Sequence, residues 1–299
     1  MTDSHAATWT IERVLGWAST DLRGKGSSSP RLDAELMLGH VLGCSRMELI
    51  IDAKRPLSPE ELGGYRRLHQ RRRRGEPVAY LRGTREFYGR SFVVDRRVLI
   101  PRPETELLVQ VALRRTQRVR LSACVLDLCT GSGCVAISLA KERPTTLVTA
   151  SDLSADALDV ARDNALRLGA QVGLAQADCY EGLGHFRGQL DLITANPPYI
   201  ADEEMAELPV DIRDFEPSMA LAAGRDGFAV TRRVIDGAPD MLAPNGVLAI
   251  ELAAGQAPEA QQLFERAGLD AIEVTRDYGG HERIISGRSP KPGPMGQPQ

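Results

Sequence analysis

Between residues 123 and 252 short apolar runs alternate with helical patterns, and this alternation restricts the chain to layers of helix packed on a parallel sheet. Strands are expected at 123–128, 147–152, 172–177, 190–195 and 247–252, with helices at 135–141, 155–168, 228–242 and 258–267. Two closing strands near 271–275 and 283–286 complete a seven-stranded, mostly parallel, doubly wound sheet of the Rossmann-like α/β kind.

The first part of the chain has no strand pattern. Ile11, Val14, Leu15 and Ala18 share one helical face, and Leu32, Leu36, Val41 and Leu42 mark a second helix. Ser58-Pro59-Glu60-Glu61 combines a cap, Pro at the first helical position and Glu three residues after the cap, so another helix should begin there. These patterns divide the chain into a helical domain at 1–75, a β-hairpin linker at 76–103 and an α/β domain at 104–288. The Pro/Gly-rich tail at 289–299 is expected to be disordered. With 299 residues and 42% hydrophobic content, the chain has room for both a full core and a smaller second domain.

The net charge of −3 argues against wholesale nucleic-acid or membrane binding. Five cysteines, with 124, 129 and 134 spaced five apart and no CxxC pair, fit neither a disulfide framework nor a zinc site. No metal is expected, and a reducing cytoplasm is the simplest location. The N-terminus is neither apolar nor basic enough for export or membrane spanning.

Chemistry is expected where the strands end. Asp127-Leu128-Cys129-Thr130-Gly131-Ser132-Gly133 closes one strand and opens a helix, so its glycines would let a ligand approach the backbone. Gly131, Gly133 and Ala136 satisfy the dinucleotide pattern G-x-G-x-x-A, and Asp152 at the next strand end could hold a ribose diol. Asp127 argues against NAD, because a carboxylate at the loop repels a pyrophosphate but attracts the ammonium of S-adenosylmethionine. Asp178, ending the following strand, could accept from adenine N6. Asn196-Pro197-Pro198-Tyr199 ends the 190–195 strand. Its prolines offer no N–H, which leaves carbonyl acceptors beside the Asn196 amide, a pocket suited to a planar NH2 group. Taken together, the acids and this turn point to a cationic, adenosine-bearing cofactor.

With these residues in place the chain resembles class I methyltransferases, and more narrowly the HemK/PrmC family of protein-(glutamine-N5) methyltransferases. Further matches are Glu76-Pro77-Val78-Ala79-Tyr80-Leu81-Arg82-Gly83, Leu99 to Glu106 with its Pro-Arg-Pro-Glu-Thr-Glu, Phe215-Glu216-Pro217, Asp226-Gly227, and Asp277 with Gly280-His281 and Arg283. The resemblance implies that Cys129 to Gly133, Asp152, Cys179 and Asn196 line the S-adenosylmethionine site. It further implies that Asn196, Pro197, Pro198 and Tyr199 hold a target glutamine, and that Arg102, Glu104 and Thr105 stand on the substrate side. The implied substrate is a class-1 peptide chain release factor, docked by the helical domain. Cys129 stands where the family usually has Gly, and Cys179 where some members have an aromatic residue. A relative acting on a ribosomal protein shares the Asn-Pro-Pro-Tyr turn, and the Pro101 to Glu106 segment favours the release-factor enzyme.

Two rival readings are methylation of an exocyclic base amine, which presents the same NH2, and a silent fold acting as an assembly partner. No stable nucleic-acid partner is expected, because no recognition domain is evident. Arg66, Arg67, Arg71, Arg72, Arg73 and Arg74 form either a docking surface or, as a helix end more often does, solvated cations that favour the helix dipole.

Overall fold

The computed structural model describes residues 8–117 and 122–290, and the chain divides into two compact units. The first comprises the residues up to Thr84 together with Pro209–Phe215. Its helices are α1 (Ile11–Gly24), α2 (Pro30–Leu42), α3 (Arg46–Ile51), α4 (Pro59–Arg72) and α5 (Val78–Arg82). Ser45 and Ser58 each close a capping box, with Glu48 and Glu61, so α3 and α4 start where their sequence satisfies the free N–H groups of the first turn. Leu15, Met37, Leu38 and Tyr65 lie at the centre of this unit's core.

The hairpin is shorter than the span 76–103. Its first residues form α5, which ends on Gly83 in the left-handed region and puts Leu81 into the helical core. The two-stranded sheet is β1 (Thr84–Phe87) with β2 (Arg90–Val93).

The second unit holds α6 (Thr105–Arg115), β3 (Cys124–Leu128), α7 (Cys134–Glu142), β4 (Leu147–Asp152), α8 (Ala155–Leu168), β5 (Val172–Gln176) and β6 (Leu190–Ala195). Past a short α9 (Val210–Arg213), which belongs to the helical unit, it continues with α10 (Ala229–Met241), β7 (Leu242–Glu251), α11 (Ala257–Arg266), β8 (Asp270–Arg276) and β9 (Glu282–Arg288). The sheet order is β5-β4-β3-β6-β7-β9-β8, parallel from β5 to β7, with β9 antiparallel to β7 and β8 antiparallel to β9. β4, β6 and α8 match their expected bounds. β7 starts five residues before the expected 247, because Leu242 already pairs with Leu190 ahead of an irregularity in the ladder.

Alternate residues of each strand feed opposite faces of the sheet. Leu126 and Leu128 pack with Val234, Ile235 and Phe264, whereas Val125 and Val148 pack with Leu108, Val109 and Ile137. β3 is followed by β4 and β5 to one side and flanked by β6 and β7 on the other, so the switch point falls between β3 and β6. Ser289 still exchanges backbone hydrogen bonds with Asn245 and Gly246, so the ordered chain extends past 288; of the expected tail, 291–299 lie outside the described residues. Among the described residues no helix is long and apolar enough to cross a membrane.

Candidate active site

At the switch point Asp127 of β3 lies in register with Thr194 of β6. The Thr194 hydroxyl donates to Asp127 Oδ1 and the Thr130 hydroxyl to Oδ2, each at 2.6 Å. Only 1% of Asp127 is exposed, and burial pushes its carboxyl up to about 6 despite these two bonds. The acid expected at the loop is therefore a buried carboxyl at the cavity wall, held by two hydroxyls.

The loop above it turns through the left-handed region at Cys129 (φ 54°), Gly131 (φ 54°) and Gly133 (φ 78°). Its N–H groups are largely committed: Thr130 N donates to Ser151 O at 3.0 Å, Gly131 N to Asp152 Oδ2 at 2.8 Å and Gly133 N to Thr130 O at 2.8 Å. A pyrophosphate would need those donors free, so the loop is unsuited to a dinucleotide. A Cβ at Gly131 would meet no protein atom within 4 Å, which leaves open space for a ligand against the backbone. Gly133 serves a different purpose. A Cβ there would stand 3.0 Å from Ile137 and 3.1 Å from Ala161, so its role is close packing of α7 and α8, not lining.

Asp152 also accepts from Ser154 N at 2.9 Å, and burial raises its carboxyl. Asp178 accepts from Arg233 of α10 at 2.8 Å. Burial raises the Cys179 thiol to about 11 and pushes the Cys129 thiol well up, so both stay protonated and act as apolar wall.

On the other side, Asn196 follows β6 directly, and its Nδ2 donates to Thr105 Oγ1 at 3.3 Å. Thr105 is buried, as is Glu251 at the end of β7, where burial pushes its carboxyl up to about 7. The segment before α6 is pinned by Glu216, which is 6% exposed: Oε2 accepts from Ile100 N at 3.0 Å and Oε1 from Arg102 Nη2 at 2.5 Å. Two of the sequence stretches singled out separately, around Pro101 and around Glu216, thus form one ion-paired wall.

These groups surround a cavity of about 650 Å³, within the range of cofactor sites. Of the expected site residues, Asp127, Cys129, Thr130, Gly131, Ser132 and Asp152 line it, as do Asp178, Cys179, Asn196 and Pro198. Arg102 and Thr105 reach it too. Gly133, Pro197, Tyr199 and Glu104 are not among its lining residues: Pro197 is buried, Tyr199 is largely buried and Glu104 is exposed. Sequence reasoning missed Arg233 and Met219, which also line the cavity.

A seven-stranded sheet with this order, a loop whose donors are turned inward and strand-end acids around an adenosine-sized cavity define an S-adenosylmethionine-dependent methyltransferase of class I. Residues 13–83 match the PrmC N-terminal domain and residues 103–210 the Methyltransferase small domain. The chain is 43% identical over 289 residues to the release factor glutamine methyltransferase of Rhodopirellula baltica, covering 95% of this chain and 97% of that one. It is 46% identical over 258 residues to its namesake in Bordetella pertussis, covering 86% and 94%. The hMettl16 catalytic domain, solved in complex with MAT2A 3′UTR hairpin 6, shares the fold at a TM-score of 0.53 and 15% identity, over 71% of this chain and 79% of that one. The chain belongs to the release factor glutamine methyltransferase family.

Proposed function

We propose that this chain methylates the side-chain amide nitrogen (N5) of the glutamine in the Gly-Gly-Gln motif of class-1 peptide chain release factors. The observation that carries the reading is the placement of Asn196 at the rim of the same cavity as Gly131 and Asp152, with its amide nitrogen engaged by Thr105 and its oxygen left for a substrate. When bound, S-adenosylmethionine supplies an electrophilic methyl carbon on its sulfonium. Asp152 would hold its ribose and Asp178 its adenine edge, and the buried Asp127 carboxylate would attract its cationic end.

A glutamine amide is a weak nucleophile because its lone pair is delocalised, so orientation and electrostatics must supply the rate. Asn196 Oδ1 and the Pro197 carbonyl accept the two amide N–H bonds and stabilise the positive charge that grows on nitrogen. Tyr199 packs beside the substrate side chain, and Arg102, Glu104 and Thr105 flank its entry. We assign docking of the protein substrate to the helical unit. Its α3 exposes Met47 (64%), Ile50 (60%) and Ile51 (72%), an apolar face of the kind that marks an interaction site.

The test is methyl transfer from labelled S-adenosylmethionine to purified release factor, beside a factor with the Gly-Gly-Gln glutamine changed to Ala, and beside DNA. Label confined to that glutamine of the unaltered factor is the expected result. Label on DNA alone would transfer the function to base methylation, and none on either would reject the substrate.

A further inference from the structure

We propose that Arg233 of α10 is a positioning residue that sets base selectivity: by clamping the Asp178 carboxylate it presents an acceptor to the adenine N6 amino group, and so makes the site prefer adenine to a purine without that amine. The inference rests on the reading above, in which Asp178 meets the adenine edge, and it assigns the residue that sets this acid in place.

The cavity has to recognise a purine without an aromatic side chain, since no Phe, Tyr, Trp or His is among the described residues that line it. Ala177, Cys179 and Val230 offer small apolar contacts that any flat base would satisfy. Which base is bound is then decided at its edge, by hydrogen bonds. Adenine presents an NH2 donor there, and hypoxanthine a carbonyl oxygen. A carboxylate accepts from the first and repels the second.

Of the three strand-end acids, Asp178 is the one held by a cation. Asp127 is held by two hydroxyls and Asp152 by the Gly131 and Ser154 N–H groups, whereas Asp178 Oδ1 accepts from Arg233 Nη1 at 2.8 Å. Arg233 Nη2 also reaches Glu181 Oε1 at 3.5 Å, so one side chain spans both acids of the turn that follows β5. That turn is closed by Glu181 N, which donates to Asp178 O at 3.1 Å. Its register against α10 is fixed from neighbouring positions. Tyr180 Oη donates to Val234 O at 2.8 Å, and the Tyr180 ring lies so close to Gly237 that a Cβ there would stand 2.4 Å from it. Arg233 and Asp178 are therefore held together by contacts that neither of them makes. The pair itself does little for the fold, because the Arg233 and Asp178 side chains are 46% and 36% exposed and solvent screens them. Elsewhere at the cavity, Arg97 pairs with Asp95 and Arg102 with Glu216, acids that do not line it. Arg233 pairs with one that does, and it takes only part of the acceptor capacity of that carboxylate, leaving Oδ2 for the base.

The experiment uses the full chain and compares calorimetric affinities for S-adenosylhomocysteine and for its hypoxanthine counterpart, S-inosylhomocysteine. The wild type should bind the adenine ligand about a hundredfold more tightly or better, as a site built to receive an N–H does. Arg233→Met, which keeps the reach of the side chain, should weaken the adenine ligand by about tenfold and the hypoxanthine ligand by less than about twofold, with the unfolding midpoint unchanged. Arg233→Lys, which retains a cation beside Asp178, should keep more of the preference than Arg233→Met. Asp178→Asn should lower the preference at least as far, and adding Arg233→Met to it should lower it no further, because Arg233 acts through that acid. A preference unchanged in Arg233→Met, equal weakening of both ligands, or losses that add to those of Asp178→Asn would overturn the proposal, as would a wild type indifferent to the base. Should Arg233→Met not fold, Arg233→Gln carries the same test. Neither ligand has a transferable methyl group, so failure of methyl transfer to a release factor would remove the substrate reading and leave this result standing on its own.

Discussion

At φ 54° Cys129 holds a left-handed backbone conformation that a side chain with a Cβ adopts at a cost of about 1 kcal/mol. The thiol recovers part of that by packing against the core beside β3, so Cys129→Gly should change stability by less than about 1 kcal/mol. Cys129→Val, with a branched Cβ, should cost about 2 kcal/mol in thermal or denaturant unfolding. Asp127 gives a pH signature. Its carboxyl is raised, so apo stability from this group is present at low pH and is lost as pH rises through about 6, whereas a cationic cofactor favours the ionised form. Affinity for S-adenosylmethionine, measured calorimetrically, should therefore fall as pH drops below about 6, and Asp127→Asn should remove that dependence. Asn196→Ala should lower kcat by about a hundredfold or more and leave cofactor affinity nearly unchanged. Near-normal turnover would disprove its assigned role.

Elements bring these residues together through a few buried polar ties. Glu216 holds the stretch before α6 through the Ile100 N–H and the Arg102 guanidinium. Glu216→Ala strands both donors, and should cost about 2–3 kcal/mol of stability while loosening the wall at Arg102 and Thr105. The arginine run at the end of α4 divides along similar lines. Arg71 pairs with Glu76, Arg73 with Asp21, and Arg72, 11% exposed, with the buried Asp33 at 2.8 Å. For these three the internal partner is the sufficient reason for the charge. Arg72→Ala should destabilise the helical unit by about 3 kcal/mol, whereas reversing the exposed Arg66 and Arg67 should leave unfolding unchanged.

On the scale of the molecule, the whole lining of the cavity belongs to the α/β unit. If the helical unit docks the protein substrate, Ile50→Asp with Ile51→Asp should raise KM for intact release factor about tenfold or more. Transfer to a short Gly-Gly-Gln peptide should be unaffected. Equal losses on both substrates would assign the change to folding instead.

Strand and helix positions were legible from residues 123 to 288 because periodicity and turn chemistry are local properties: β4, β6 and α8 follow directly from where the apolar pattern begins and stops. The Asn-Pro-Pro-Tyr turn and the Gly131 loop were legible for the same reason, since a strand end and its next few residues determine them. What only the tertiary structure decided is which distant groups share a hydrogen bond. Asp127 with Thr194, Asn196 with Thr105 and Arg102 with Glu216 are separated by 67, 91 and 114 residues, and no periodicity links them. Burial likewise depends on the whole sheet closing over a side chain, so the raised carboxyl of Glu251 could not be read before the fold brought β7 alongside β6.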